Sequence, residues 1–206
     1  MELVLCISTA SWNLRCVDVC GEMSAVIYSS HDQQITWPDF GLRVLFQAGC
    51  LPPDIEQCTV NIKVSIAGQY EFPENSHLVS AIFWFRCETV KKFTRPITVE
   101  IQHCAKPEST KLHFVRAVCC QKQLPYSFKQ LPGGIFTSHS SNGVIELNSF
   151  SGVGITQERS KDREYCSQLF YLDHPNSCQI HFVVTWNFEA HLTVSLVCVK
   201  LSALSL

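Results

Sequence analysis

Residues 57–67, QCTVNIKVSIA, form the stretch that decides the fold of this chain. Every second residue is apolar, and polar residues fill most of the positions between them. Successive side chains of an extended strand point to opposite faces, so this pattern gives one apolar face and one polar face. A helix would scatter the same apolar residues around its circumference. The stretch therefore predicts a β-strand with one face on a core and the other in water.

The same kind of pattern predicts further strands along the chain. Residues 78–85 are apolar almost throughout, which indicates a strand covered on both faces and places Phe83-Trp84-Phe85 in a core rather than on a base-stacking platform. No helical periodicity appears, and glycine, proline and asparagine separate the segments, so we predict an all-β fold, an antiparallel β-sandwich. The other predicted strands are residues 25–28, 42–46, 97–102, 112–119, 126–128, 144–147 and 180–186, with a C-terminal strand without partners in 192–206.

Several short motifs predict turns between these strands. Asn142-Gly143 is the strongest hairpin signal, because both residues tolerate the positive φ of a type I′ turn. Trp37-Pro38-Asp39 and Pro132-Gly133-Gly134 are further turn signals. Gly152-Val153-Gly154 lacks the third glycine and the helix of a dinucleotide-binding loop, so we interpret it as a bulge or turn.

Length, charge and composition exclude several functional classes. The chain has 206 residues, which suits one sandwich domain or one domain plus part of another. The net charge is −2, and no basic stripe of the kind that binds nucleic acid is present. The N-terminal apolar run is short and follows Glu2, so we expect no secretory signal, and Lys200 interrupts the last apolar segment, so we expect no membrane insertion. We expect a cytoplasmic protein.

The cysteines and histidines do not form a recognisable metal or catalytic motif. Twelve cysteines are present, but no Cys-x-x-Cys pair occurs, and the spacings of Cys16/Cys20 and Cys119/Cys120 suit zinc poorly. Cys58 and Cys198 continue strand alternations, where cysteine acts as a small hydrophobe. His103 and His139 are predicted at a strand end or in a loop, and no Gly-x-Ser-x-Gly elbow is present. We predict no cofactor, no metal and no hydrolase triad.

Residues 40–155 resemble the ZU-five domain, a module shared by ankyrins, zonula-occludens scaffolds and netrin receptors of the UNC-five type. The most specific block is FTRPITVEIQH at 93–103, supported by GLRV at 41–44 with Gly49, LVS at 78–80 and residues 143–151. The segment from Leu45 to Gly49 lacks the proline of the family's Ile-Pro-x-Gly turn, which affects local geometry. The resemblance implies a β-sandwich, in agreement with the alternation.

Residues 165–196 resemble the opening of the UPA domain, the β-rich module that follows ZU-five in several of those proteins. The expected organisation is an N-terminal extension at 1–36 without a defined structure, a ZU-five-like sandwich at 37–156 and a partial UPA-like segment at 165–206. A fragment of a longer protein fits this organisation, and an upstream membrane span, upstream ankyrin repeats or a downstream death domain are the alternatives for its context.

The resemblance implies protein binding rather than catalysis. Members of the family dock and scaffold other proteins, so the expected partners are proteins, spectrin-like or death-domain signalling proteins by analogy. The expected role is a non-enzymatic interaction module of an intracellular signalling or membrane-skeleton protein, including the intracellular part of a receptor.

Some death-domain relatives instead cut themselves at a His-Phe-Ser motif, where the serine hydroxyl attacks the preceding carbonyl with help from the histidine. The matching residues here are Ser149-Phe150-Ser151, so the nucleophile is retained and the histidine is not. A positioned general base contributes about 10²–10⁴-fold in rate. A self-cleaving module cut between Phe150 and Ser151 is therefore the alternative hypothesis, with the site otherwise a vestige, Phe150 a core residue and Ser151 a turn hydroxyl.

Overall fold

The structure is a computed structural model that describes residues 14, 16–105, 111–118, 124–137, 140–158, 168–172, 179–186 and 192–199. The chain divides into two compact units, unit 1 (Met1–Arg159) and unit 2 (Ser160–Leu206). The described elements are β-strands and one short 3₁₀ turn, so the predicted all-β class is confirmed. In chain order, unit 1 contains β1 (Val17–Tyr28), β2 (Gln33–Trp37), β3 (Leu42–Phe46), β4 (Gln57–Gly68), β5 (Tyr70–Glu71), β6 (Ser76–Leu78), β7 (Ile82–Cys87), β8 (Ile97–Gln102), β9 (Leu112–Ala117), β10 (Tyr126–Leu131), β11 (Ile135–Phe136), β12 (Asn142–Leu147) and β13 (Gly152–Glu158).

The strands of unit 1 form two sheets that pack face to face. The larger sheet has the order β1-β4-β7-β13-β9-β10-β5, and β6 also pairs with β13. The smaller sheet has the order β11-β12-β8-β3-β2. All of these pairings are antiparallel except that of β10 with β5. This is the β-sandwich that the sequence predicts.

The core lies between the sheets and takes alternate residues from both. The smaller sheet contributes side chains such as Val44 and Val99, and the larger sheet contributes side chains such as Ile62 and Phe83, all fully buried. Burial of apolar surface on this scale is the main stabilising term of such a fold.

A second cluster, the outer aromatic cluster, covers the opposite face of the larger sheet. Its members are Trp84, Tyr126 and Phe128, with Tyr70 and Phe72 packed against them. The Trp84 ring lies 5.0 Å from the Tyr126 ring and 5.9 Å from the Phe128 ring. Strand β7 is therefore buried on both faces, and the prediction that Phe83-Trp84-Phe85 belongs to a core is confirmed.

The outer face of β4 is exposed at Thr59, as the alternation predicts, but it is covered at Lys63 and Ser65, which corrects the expectation of a face wholly in water. Lys63 and Ser65, which the alternation placed in solvent, are 7% and 0% exposed. Ser65 Oγ accepts a hydrogen bond from Trp84 Nε1 at 2.8 Å and lies 2.6 Å from Tyr70 Oη. Lys63 Nζ lies 3.3 Å from a carboxylate oxygen of Glu22. Polar residues on this face are tolerated because each has a partner.

The predicted hairpin turn at Asn142-Gly143 is wrong. Both residues lie in β12, where Asn142 pairs with Gln102 and Gly143 pairs with Ile101. A Cβ on Gly143 would lie 2.5 Å from a ring carbon of Phe136. The glycine is required for close packing rather than for a positive φ. The turn predicted at residues 132–134 is present, with Gly133 at φ +85°.

Two further predictions need correction. The predicted strand at residues 78–85 is divided into β6 and β7 by a break at residues 79–81. The predicted bulge or turn at residues 152–154 is the regular start of β13. A Cβ on Gly152 would lie 2.7 Å from the Trp84 ring, so the absent side chain makes room for the outer aromatic cluster.

The sandwich begins earlier in the chain than the predicted boundary at residue 37. Strands β1 and β2 lie within the predicted extension, and they pair with β4 and β3. The predicted strand at residues 25–28 is the end of the longer β1, and Trp37-Pro38-Asp39 leads from β2 into a 3₁₀ turn at Pro38–Phe40. Both strands contribute buried side chains to the core, so they are part of the domain.

Unit 2 contains an antiparallel sheet of β14 (Gln168–Leu172), β15 (Gln179–Trp186) and β16 (Leu192–Val199), in that order. The strand predicted at 180–186 corresponds to β15. The expectation that the C-terminal strand lacks partners is wrong, because β16 pairs with β15 along its whole described length.

Candidate functional site

Residues 149–151, which the resemblance aligns with a self-cleavage motif, lie in the connection between β12 and β13. The Phe150 ring stacks on Phe85 at 5.3 Å between ring centroids and meets Phe93 edge-on at 4.8 Å. These contacts hold the connection against the open end of the core, so the backbone on either side of Phe150 is fixed.

The Arg116 side chain on β9 binds this connection. Its Nε donates to Ser151 Oγ at 2.7 Å, and its Nη2 donates to Ser149 Oγ at 2.6 Å and to the Ser149 carbonyl at 2.9 Å. Nη2 also lies 3.3 Å from the carbonyl oxygen of Phe150. One planar guanidinium therefore contacts all three residues, a geometry that suits its fixed fork of donors.

This arrangement contains part of the apparatus of acyl transfer. Attack by Ser151 Oγ on the Phe150 carbonyl would place negative charge on the oxygen that Arg116 Nη2 contacts. A donor aimed at that oxygen stabilises the developing charge. The Ser151 hydroxyl itself donates to the Gly152 carbonyl at 3.3 Å, which is not a group that can remove its proton.

The described histidines near this region are placed away from the serines. His113 is three residues from Arg116 on β9, so the two side chains point to opposite faces, and His113 Nε2 lies 3.2 Å from a carboxylate oxygen of Glu158. Leu147, which precedes the connection, pairs with Ile97 at the start of β8, whereas His103 follows the end of β8. Six residues of extended strand separate Ile97 from His103, a distance of about 20 Å. His139 lies outside the described residues. Ser149 occupies the position where the related motif has its histidine.

His103 is buried beneath the end of β8. Its ring lies 6.0 Å from the ring of Phe136, and neither ring nitrogen has a hydrogen-bond partner within the described part of the chain. Burial lowers its pKa, because the charged imidazolium loses solvation there. The side chain is therefore neutral at physiological pH and packs as an aromatic group.

Sequence reasoning missed Arg116, although the strand pattern contains the signal. Arg116 shares the strand parity of Leu112 and Phe114, which puts it on the inner face of β9. An arginine on an inner face needs polar partners. Ser149 and Ser151, in the connection between β12 and β13, provide them.

No group of three or more His, Cys, Asp or Glu side chains is arranged to hold a metal ion within the described residues. In the same part of the chain, no helix is long and apolar enough to cross a bilayer. Comparison of the chain with protein-family models and with curated proteins finds no match.

Proposed function

We propose that unit 1 is a non-enzymatic protein-interaction module whose β1 edge pairs with an extended segment of a partner protein. The observation that carries this proposal is the length and composition of that edge. Strand β1 has 12 residues and, among the described strands, hydrogen-bonds only to β4. Its other side presents a row of main-chain donors and acceptors, which is the surface used in β-strand addition.

From Ser24 to Tyr28, β1 lacks the usual protection of an edge strand. It contains no lysine and no proline, the residues that most often prevent edge-to-edge pairing. Register shifts near Val19 disturb its first residues, whereas the part from Gly21 to Tyr28 pairs regularly with β4. Two exposed apolar side chains, Val19 at 41% and Tyr28 at 42%, lie along this strand and offer contacts to a bound segment.

Two further points support binding rather than catalysis. The resemblance of residues 40–155 to a docking module favours a role in protein binding. The Ser151 hydroxyl is held by the Arg116 cation on one side and donates to a carbonyl on the other, so its described partners include no proton acceptor suited to catalysis.

The proposal is tested by panning a library of random peptides on the immobilised full chain, then measuring the affinity of each selected peptide for the native chain and for two variants. Val19→Lys combined with Tyr28→Lys places two charges along the edge and is expected to weaken binding at least about tenfold. Ile135→Lys is the matched control, because Ile135 is 65% exposed on β11, and its binding is expected to be unchanged. Failure to select any peptide, or equal affinity for all variants, contradicts the proposal.

Self-cleavage between Phe150 and Ser151 is the second candidate, favoured by the contact between Arg116 Nη2 and the Phe150 carbonyl. It ranks lower because Ser149 stands in the place of the histidine, and a serine hydroxyl is not a base at neutral pH. Intact-mass measurement of the purified chain separates the two candidates. A single species of 23.3 kDa supports the binding module, whereas fragments of residues 1–150 and 151–206 that disappear in Ser151→Ala support self-cleavage.

A further inference from the structure

Two cysteines that are distant in sequence, Cys58 and Cys87, are neighbours at one end of the sandwich, and Cys50 lies near Cys58. Cys50 follows β3 and is fully buried, Cys58 lies on β4 and is 4% exposed, and Cys87 is the partly exposed last residue of β7. In the pairing of β4 with β7, Val60 is opposite Cys87. Cys58 is therefore the diagonal neighbour of Cys87, and both side chains point toward the core between the sheets.

The thiols of Cys58 and Cys87 differ in exposure and in acidity. The Cys58 thiol donates a hydrogen bond to the Cys87 sulfur, and Thr89 Oγ1 lies 3.4 Å from the same sulfur. The hydrogen bond from Cys58 is the main cause that lowers the pKa of Cys87 to about 5, and it raises the pKa of Cys58 together with burial. The two thiols titrate as a coupled pair, and solvent favours the charge on Cys87, the more accessible of the two sulfurs.

We propose that Cys87 is a site of oxidation by hydroperoxides and that Cys58 is its resolving cysteine, so that oxidation links β4 to β7 through a disulfide. Two features of the geometry carry this proposal. The attacking sulfur is at the partly exposed end of a strand, and the second sulfur belongs to its diagonal neighbour on the same face of the sheet. Because Cys87 ends β7, its backbone can move to close the diagonal spacing, which is wider than that of a disulfide.

The reaction balances with a hydroperoxide as the oxidant. The Cys87 thiolate attacks one peroxide oxygen, the O–O bond breaks, and the leaving alkoxide or hydroxide takes a proton from water. Cys87 is then a sulfenic acid, having given two electrons to the peroxide. The Cys58 sulfur attacks the Cys87 sulfur, the S–O bond breaks, and the departing hydroxide takes the Cys58 proton as water. Two thiols and one hydroperoxide give one disulfide, one alcohol or water, and one water.

Cys50 and Cys20 lack this combination. Cys50 is fully buried, and burial raises the pKa of its thiol. Cys20 is exposed, but its thiol donates to the Val64 carbonyl at 3.4 Å, and burial of its sulfur raises its pKa to about 11. Cys20 is therefore the matched control for an exposed cysteine without a thiolate.

The first experiment maps disulfides by mass spectrometry after the full chain is treated with hydrogen peroxide and digested without reductant. The expected product is a peptide pair linked through Cys58 and Cys87, absent in Cys87→Ser and present in Cys20→Ser. In Cys58→Ser the expected product is a dimedone adduct of the sulfenic acid on Cys87, because the resolving thiol is missing. A linkage of other cysteines, or equal dimedone labelling of Cys87 and Cys20, overturns the proposal.

The second experiment needs no variant and compares alkylation of Cys87 in the native chain with that of a cysteine in an unstructured peptide by iodoacetamide. The thiolate of a group with a pKa near 5 reacts about 40-fold more slowly than the thiolate of a group with a pKa near 8.5. At pH 7 its larger thiolate fraction offsets this loss, so the two observed rates are similar. At pH 6 the larger thiolate fraction makes Cys87 about tenfold faster. We expect a flat rate for Cys87 from pH 6.5 to 8, and a rate that rises about tenfold per pH unit refutes the thiolate.

Discussion

Replacement of Arg116 by methionine tests whether this side chain holds the connection between β12 and β13. The guanidinium makes hydrogen bonds of 2.7 Å to Ser151 Oγ, 2.6 Å to Ser149 Oγ and 2.9 Å to the Ser149 carbonyl. A hydrogen bond to a charged group contributes about 1.5–3 kcal/mol, but the contacts share one cation and one desolvation cost, so they do not add. Methionine keeps much of the apolar stem. We expect the free energy of unfolding to fall by about 2–4 kcal/mol.

The measurement is urea denaturation followed by tryptophan fluorescence. With a slope of about 2 kcal/mol per molar urea, the midpoint is expected to fall by about 1–2 M. The control is Arg86→Met, because the ion pair of Arg86 with Glu88 spans 3.1 Å with side chains 40% and 63% exposed. Such an exposed pair contributes below about 1 kcal/mol. Equal midpoints for the two variants would refute the assigned role of Arg116.

Three other substitutions test separate parts of the fold and the site. Burial raises the pKa of Tyr70 to about 12 from 10.0. The free energy of unfolding that its neutral hydroxyl contributes is therefore complete below pH 10 and lost between pH 10 and 12. Over that range the urea midpoint of Tyr70→Phe should fall less than that of the native chain. Gly143→Ala forces a Cβ against Phe136, and thermal denaturation should show a loss of about 1–3 kcal/mol; an unchanged melting temperature would mean that close packing does not require the glycine. Ser149→His supplies the missing base, and intact-mass time courses should show cleavage after Phe150 accelerated by about 10²–10⁴-fold, whereas no acceleration would mean that the carbonyl is wrongly placed for attack.

The strand pattern predicted most of the sandwich because alternation records burial directly. Strands β3, β4 and β8 each place apolar residues on one parity, and each of them matches a predicted strand. The first half of β1 was missed because register shifts between Asp18 and Gly21 interrupt its period of two. A bulge changes which residues point inward, so the alternation cannot continue through it.

The remaining errors arise from contacts between distant segments. Gly143 has the same sequence signature whether its absent Cβ permits a turn or makes room for Phe136. The buried state of Lys63 depends on what covers the outer face of β4, which local sequence does not record.

The candidate sites depend on register in the same way. Arg116 meets the serines, and Cys58 meets Cys87, only because strands far apart in sequence are paired in a particular register. A family resemblance singled out residues 149–151 as a candidate site. That Arg116 binds them could be found only from the folded structure.

Amide hydrogen exchange on the full chain, with and without a selected peptide, tests the central proposal most directly. If an extended segment pairs with the open edge, new main-chain hydrogen bonds should slow exchange by at least about tenfold at alternate amides of Val17–Tyr28. Ile135–Phe136 lies at an edge of the other sheet, and its amides should exchange at the same rate with and without the peptide. Slowed exchange elsewhere, with β1 unchanged, would contradict the account.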